Sequence, residues 1–132
     1  MVSFIRRNRG QAVIEFALVL PLLLIILFGI VEFARAWMTV SVLTSAAREG
    51  ARLAAVTAPD VNLVTIRVNE VCSAAGLTVK GVTVTPPDSM DPTRRLSVTV
   101  ESDFTVLLGE LLGTFKGTIP LRATSVMRHE SI

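Results

Sequence analysis

The sequence predicts an α+β protein: a long N-terminal transmembrane helix, a second helix, and a small antiparallel sheet of about three strands. Three observations carry this. From Phe16 to Val31 the chain holds no charged residue. Between Val61 and Ala75, valines recur at helical spacing with Gly76 behind them as a stop. Beyond Gly76 the periodicity changes to the alternation of a half-buried strand.

The first element is read as one helix over residues 11–57. Counted from Gln11, its apolar part is about 21 residues, or roughly 30 Å as a helix, enough to cross a hydrocarbon core. Pro21 is expected to bend it, because proline lacks an N–H and clashes with the preceding turn. Gly29 is a second point of loosening. Glu32 and Arg35 are spaced i, i+3 and can pair at the outer interface. Trp37 follows, where an indole suits the headgroup region. Further on, Val40, Leu43, Ala47, Ala51 and Ala54 fall at helical spacing. Ala46, Gly50 and Ala54 add a stripe of small residues, which lets another element approach closely. Arg48, Glu49 and Arg52 occupy another part of the circumference and read as a solvated face.

Pro59 disfavours helix at Ala58, and Asp60 suits the N-cap of a second helix. The segment 61–75 has two readings. Val64, Ile66 and Val68 alternate with polar residues, as in a strand. Val61, Val64, Val68, Val71 and Ala75 also form a complete helical stripe, and helix is the reading adopted. Val82 and Val84 then alternate with Thr83 and Thr85, and Gly81 marks a candidate bulge. Pro86 to Pro92 carries every turn signal. Leu96, Val98, Val100 and Phe104 share one strand face; Arg95, Ser97, Thr99, Glu101 and Asp103 share the other. The last strand, about 118–128, gathers Ile119, Leu121, Ala123 and Met127, and Pro120 calls for an edge or a bulge. Leu107, Leu108, Leu111 and Leu112 can share one helical turn between the strands. They are expected to cap the core; the other reading is contact with the bilayer surface or a partner.

Charge narrows the function. The formal net charge is +2, but Arg6, Arg7 and Arg9 all precede the apolar run, and without them it is −1. The rest of the chain is not basic, so nucleic-acid binding is not expected. Three arginines on the N-terminal side of the span predict a cytoplasmic N-terminus and an external C-terminal domain. No catalytic set, phosphate-binding loop or metal-ligand spacing is visible, so neither an enzyme nor a cofactor is expected. Cys72 is the only cysteine, which rules out an intrachain disulfide, and it reads as a small buried residue. Glu15 is the exception to a bland anchor: a carboxylate at the head of an apolar span is costly and suggests a use.

The stretch Gly10-Gln11-Ala12-Val13-Ile14-Glu15-Phe16 resembles the N-terminus of type IV pilin-like proteins. In those a basic leader ends in Gly, a membrane peptidase cuts after it, and a Glu stands at the fifth mature position. More widely, RRNRGQAVIEFALVLPLLLIILFGIVEFARAW, the later AAREGARLAA and the closing ATSVMRHE resemble the TadE-like family. These are minor pilins, or pseudopilins, of the tight-adherence (Flp-type) pilus system. Phe16 follows the Glu where major Flp pilins usually have Tyr, a departure from the major-pilin pattern. The resemblance implies a leader at residues 1–10, cleavage between Gly10 and Gln11, and an assembly role for Glu15. It implies a transmembrane half at 11–35 and an extracytoplasmic pilin-like domain at 36–132. Arg48, Glu49 and Arg52 become candidate subunit contacts on the same ground. The implied partners are the bacterial inner membrane, a prepilin peptidase, other pilins or minor pilins, and the pilus assembly platform. Two alternatives stay open: a single-pass anchored binding or adhesion module that never enters a filament, or a secreted protein whose signal peptide is cut at Ala34-Arg35-Ala36. Against the second, the uncharged run exceeds the usual core of about 7–15 residues.

Overall fold

The computed structural model describes residues 4–57, 60–88, 90, 93–111, 113 and 117–128, with only the backbone for 4–9 and 111. The elements are α1 (Phe4–Val56), α2 (Val61–Ala74), β1 (Gly81–Thr85), β2 (Arg95–Thr105), α3 (Leu107–Leu111) and β3 (Thr118–Arg128). The fold is α+β, as the sequence predicts. The chain forms two units, Met1–Ala34 and Arg35–Ile132.

In the first unit α1 already begins at Phe4, within the segment read as leader, and continues through Pro21 without interruption. Its most apolar stretch has no side chain buried within the protein. Such a surface calls for an apolar surrounding, and a helix can enter one because its backbone polar groups are satisfied internally.

The second unit is built around the small residues of α1. Leu43, Ala46, Ala47, Ala51 and Ala54 are fully buried, together with Val64, Val68 and Cys72 of α2 and Leu96, Val98 and Val100 of β2. The three elements meet at Gly50. A Cβ there would lie 2.8 Å from Val68 Cγ2 and 3.3 Å from both Val64 Cγ1 and Val98 Cγ1. The alanine and glycine stripe therefore sets how closely the helices and sheet approach.

The sheet has three antiparallel strands in the order β1-β2-β3. β2 is central, so its alternation is the cleanest: Leu96, Val98, Val100, Ser102 and Phe104 all face inward. Ser102 fills the gap between Val100 and Phe104, and its hydroxyl donates to the Thr78 carbonyl at 2.7 Å. That bond satisfies the one polar side chain on this buried face. β3 lies at an edge, which accommodates Pro120 opposite Asp103 with no break in the register.

Both ends of α2 come from local chemistry. The Asp60 carboxylate accepts from the Asn62 N–H at 2.9 Å. At the other end Gly76, at φ 72°, supports a Schellman closure: its N–H donates to Ser73 O and the Leu77 N–H to Cys72 O, each at 2.9 Å. Replacing Asp60 by Ala should therefore destabilise the second unit by about 1 kcal/mol. Urea unfolding of residues 36–132 would show a lower midpoint at unchanged m. An unchanged midpoint would mean that the cap contributes nothing.

Beyond the earlier start of α1, the structure departs from the sequence reading in four places. Val61 and Ala75 are exposed, because the first follows the cap and the second is itself the C-cap; the buried stripe is Val64, Val68 and Cys72, with Val71 at its margin. Gly81 is not a bulge but the first residue of β1, paired one to one with Glu101. Ile119 is exposed, near the end of an edge strand. Leu107 does not cap the core; it is exposed and Leu108 half-buried, while Gly109 between the leucines is buried. Pro59, Leu112 and His129 lie outside the described residues, as does the Leu111 side chain.

Candidate processing and assembly site

Gly10, Gln11 and Glu15 lie on consecutive turns of α1, and all three are exposed. Nothing lies within 4 Å of where a Gly10 Cβ would stand. The Gln11 amide Nε2 donates to Glu15 Oε1 at 3.2 Å, an i, i+4 contact. This gives the carboxylate one local donor among the exposed side chains of Ile14, Phe16 and Leu18. One hydrogen bond leaves most of a carboxylate's acceptor capacity unused, so Glu15 can take a further donor.

The three charged residues read as one solvated face have different situations. Glu49 faces α2, where its Oε1 accepts from Arg67 Nη2 at 3.1 Å. The other Arg67 nitrogen, Nη1, donates to Glu70 Oε2 at 3.1 Å. These hydrogen bonds, to Glu70 first and then Glu49, raise the Arg67 pKa. The cluster is exposed, so it orients α2 on α1 more than it stabilises the unit. Arg48 and Arg52 are exposed on one side of α1, one turn apart, and neither meets a carboxylate among the described residues. Sequence reasoning missed Arg67. Its only signal was an i, i+3 spacing to Glu70 on the side of α2 away from the valine stripe.

Among the described residues no cluster of His, Cys, Asp and Glu could hold a metal ion. Cys72 is buried, and burial pushes its thiol pKa up, so it stays protonated and inert at neutral pH. The outer sheet face carries Lys80–Asp103 at 3.1 Å, Arg122–Glu101 at 3.4 Å, and the Thr99 and Thr124 hydroxyls 2.9 Å apart. These contacts are satisfied laterally and expose no reactive group.

A long apolar helix near the N-terminus, preceding a small α+β unit, fits a single-pass membrane anchor. Residues 10–52 match the model of a protein family described as TadE-like protein, the family that the sequence resembles. The match begins at Gly10 and ends at Arg52, so it covers most of α1 and none of α2 or the sheet. No curated protein and no solved structure matches the chain.

Proposed function

We propose that the chain is a minor pilin or pseudopilin of a tight-adherence (Flp-type) pilus. It inserts in the bacterial inner membrane with its N-terminus in the cytoplasm and its second unit outside. A prepilin peptidase cuts it after Gly10, and the mature chain takes part in pilus assembly with other pilins and the inner-membrane platform. The observation that carries this reading is the family match starting at Gly10, with Glu15 at the head of an unburied apolar helix. Arg6, Arg7 and Arg9 support the orientation through the positive-inside bias.

The local chemistry supports the cut. Gly10 is helical and exposed, and glycine is about 1 kcal/mol worse than alanine in a helix, so the turn opens there at low cost. Without a side chain it lets a peptidase approach the carbonyl closely. Hydrolysis of the Gly10–Gln11 bond consumes one water and leaves a new α-amine on Gln11. On the second unit, Arg48 and Arg52 offer cationic contacts to a neighbouring subunit, while Glu49 is already engaged by Arg67.

Intact-mass measurement of the native protein tests the reading. A mature chain starting at Gln11 is expected; one starting after Ala36 would instead mean a conventional signal peptide. Gly10→Leu should accumulate the full-length chain in the membrane. If that variant still yields a chain starting at Gln11, the leader assignment fails.

A further inference from the structure

The second unit has an end that its own core does not explain. Arg35, its first residue, places its guanidinium 5.2 Å from the centroid of the Phe104 ring. Phe104 pairs with Ile119 across the sheet, and Leu107 comes three residues later on α3. Beside them is a hollow of about 290 Å³ walled in part by Met38, Val42, Leu77 and Phe104, with Arg35 and Asp103. Large apolar side chains stand open to solvent here: Trp37 is 68% exposed, Leu107 51% and Ile119 43%. A short helix that exposes a leucine gains nothing from its own fold by doing so.

We propose that this end of the second unit rests on the phospholipid interface of the bilayer that holds the apolar run. The inference builds on the single-pass anchor reading. Its occupant is fixed by connectivity: Arg35 is four residues past Val31, so the backbone between them spans at most about 14 Å. Whatever packs on Arg35 is therefore held at or near the headgroup layer. The residue types match that layer. An indole, a guanidinium over an aromatic ring, and aliphatic tips suit a zone that is wet on one side and apolar on the other. The far end of the sheet differs in charge: Arg95 lies directly across from Arg128, beside an exposed Val126. Leu107 and Ile119 are thus the side chains of this end that would meet the lipid interface.

The test uses the full chain in vesicles of phosphatidylcholine and phosphatidylglycerol, with single cysteines introduced by Leu107→Cys, Val126→Cys or Ile25→Cys. Each carries a small fluorophore. Buried Cys72 should stay unlabelled, which the unsubstituted chain checks. Val126 is a matched control: it too is apolar and exposed, but it pairs with Ser97 towards the far end of the sheet. Along β3 it lies about 23 Å from Ile119. Nitroxide lipids labelled at headgroup depth should quench the Leu107 probe several-fold more than the Val126 probe. Aqueous iodide should show the reverse order. Acyl-chain nitroxides should quench the Ile25 probe. Equal quenching at Leu107 and Val126, with Ile25 quenched, overturns the proposal and leaves the anchor intact. An Ile25 probe open to iodide and untouched by lipid nitroxide overturns the anchor reading, and this inference with it.

Discussion

Gly50→Leu is expected to abolish cooperative folding of the second unit. The position is crowded from two elements at once: a Cβ would meet Val68 at 2.8 Å and both Val64 and Val98 at 3.3 Å. Two of these valines belong to α2 and one to β2, so no single side-chain rotation clears the space. Alanine is the informative first step. It gains about 1 kcal/mol in helix propensity but incurs an overpacking cost of about 1–3 kcal/mol. Gly50→Ala should therefore lower stability modestly. Leucine adds three further heavy atoms beyond that Cβ. To admit them α2 and the sheet must move apart from α1, exposing the alanines and valines that make up most of the core. A unit of this size has little stability to spare. Urea unfolding of residues 36–132, monitored by circular dichroism and protease resistance, gives the readout. A cooperative transition for Gly50→Leu at the midpoint of the unsubstituted chain would show that close approach at Gly50 does not hold the unit together.

The small-residue stripe was visible in sequence because it depends only on spacing. Ala46, Gly50 and Ala54 sit one turn apart, and such spacing states which residues share a face. The same holds for β2, where Leu96, Val98, Val100 and Phe104 could be assigned inward before any partner was known. Asp60 and Gly76 were legible because caps are local: each acts on backbone within a few residues. Spacing does not tell which element arrives opposite a face. Glu49 shares a turn with Arg48 and Arg52, yet it alone meets Arg67, which is supplied from α2. Val61 and Ala75 continue a valid helical stripe but lie at helix ends, beyond the reach of the core. Leu107 reads as core by hydrophobicity alone, yet it stands exposed at the start of the five-residue α3.

The candidate processing site was legible for the same reason that local caps are. Gly10, Gln11 and Glu15 need only one helix to be brought together, and the Gln11–Glu15 contact is an i, i+4 pair. On the function proposed above, their consequences depend on groups outside the chain: a peptidase, a lipid boundary and neighbouring subunits. One helix positions the carboxylate and its local donor, which is as far as a local pattern reaches.

Glu15→Leu is expected to insert in the membrane and to be cut after Gly10, yet to fail in pilus assembly. Before cleavage the Glu15 carboxylate has one donor, the neutral amide of Gln11 at 3.2 Å. Holding a carboxylate at the head of an apolar helix is unfavourable, and a single neutral hydrogen bond offsets little of that. The proposed cleavage would change the chemistry of the same turn. Gln11 gains an α-amine with a reference pKa of about 8, so it is mostly protonated at neutral pH. That cation can meet its own Glu15 or the Glu15 of a neighbouring helix. Between helices the pair strengthens as water is excluded, although desolvation offsets much of the gain. Its larger effect is on register: a helix entering at the wrong depth leaves a carboxylate or an ammonium unpaired in lipid, and only the matched depth avoids this. Leucine removes the cost of holding the charge and the register signal together, so the variant should insert at least as well as the native chain. Three measurements decide the matter: the membrane fraction, the mature N-terminus, and piliation with co-purification of the other pilins. Glu15→Gln adds a useful control, since it keeps the shape and a hydrogen bond while losing the charge, and it should assemble poorly as well. Wild-type piliation by Glu15→Leu would make Glu15 an interfacial residue only and would end the assembly mechanism proposed for it.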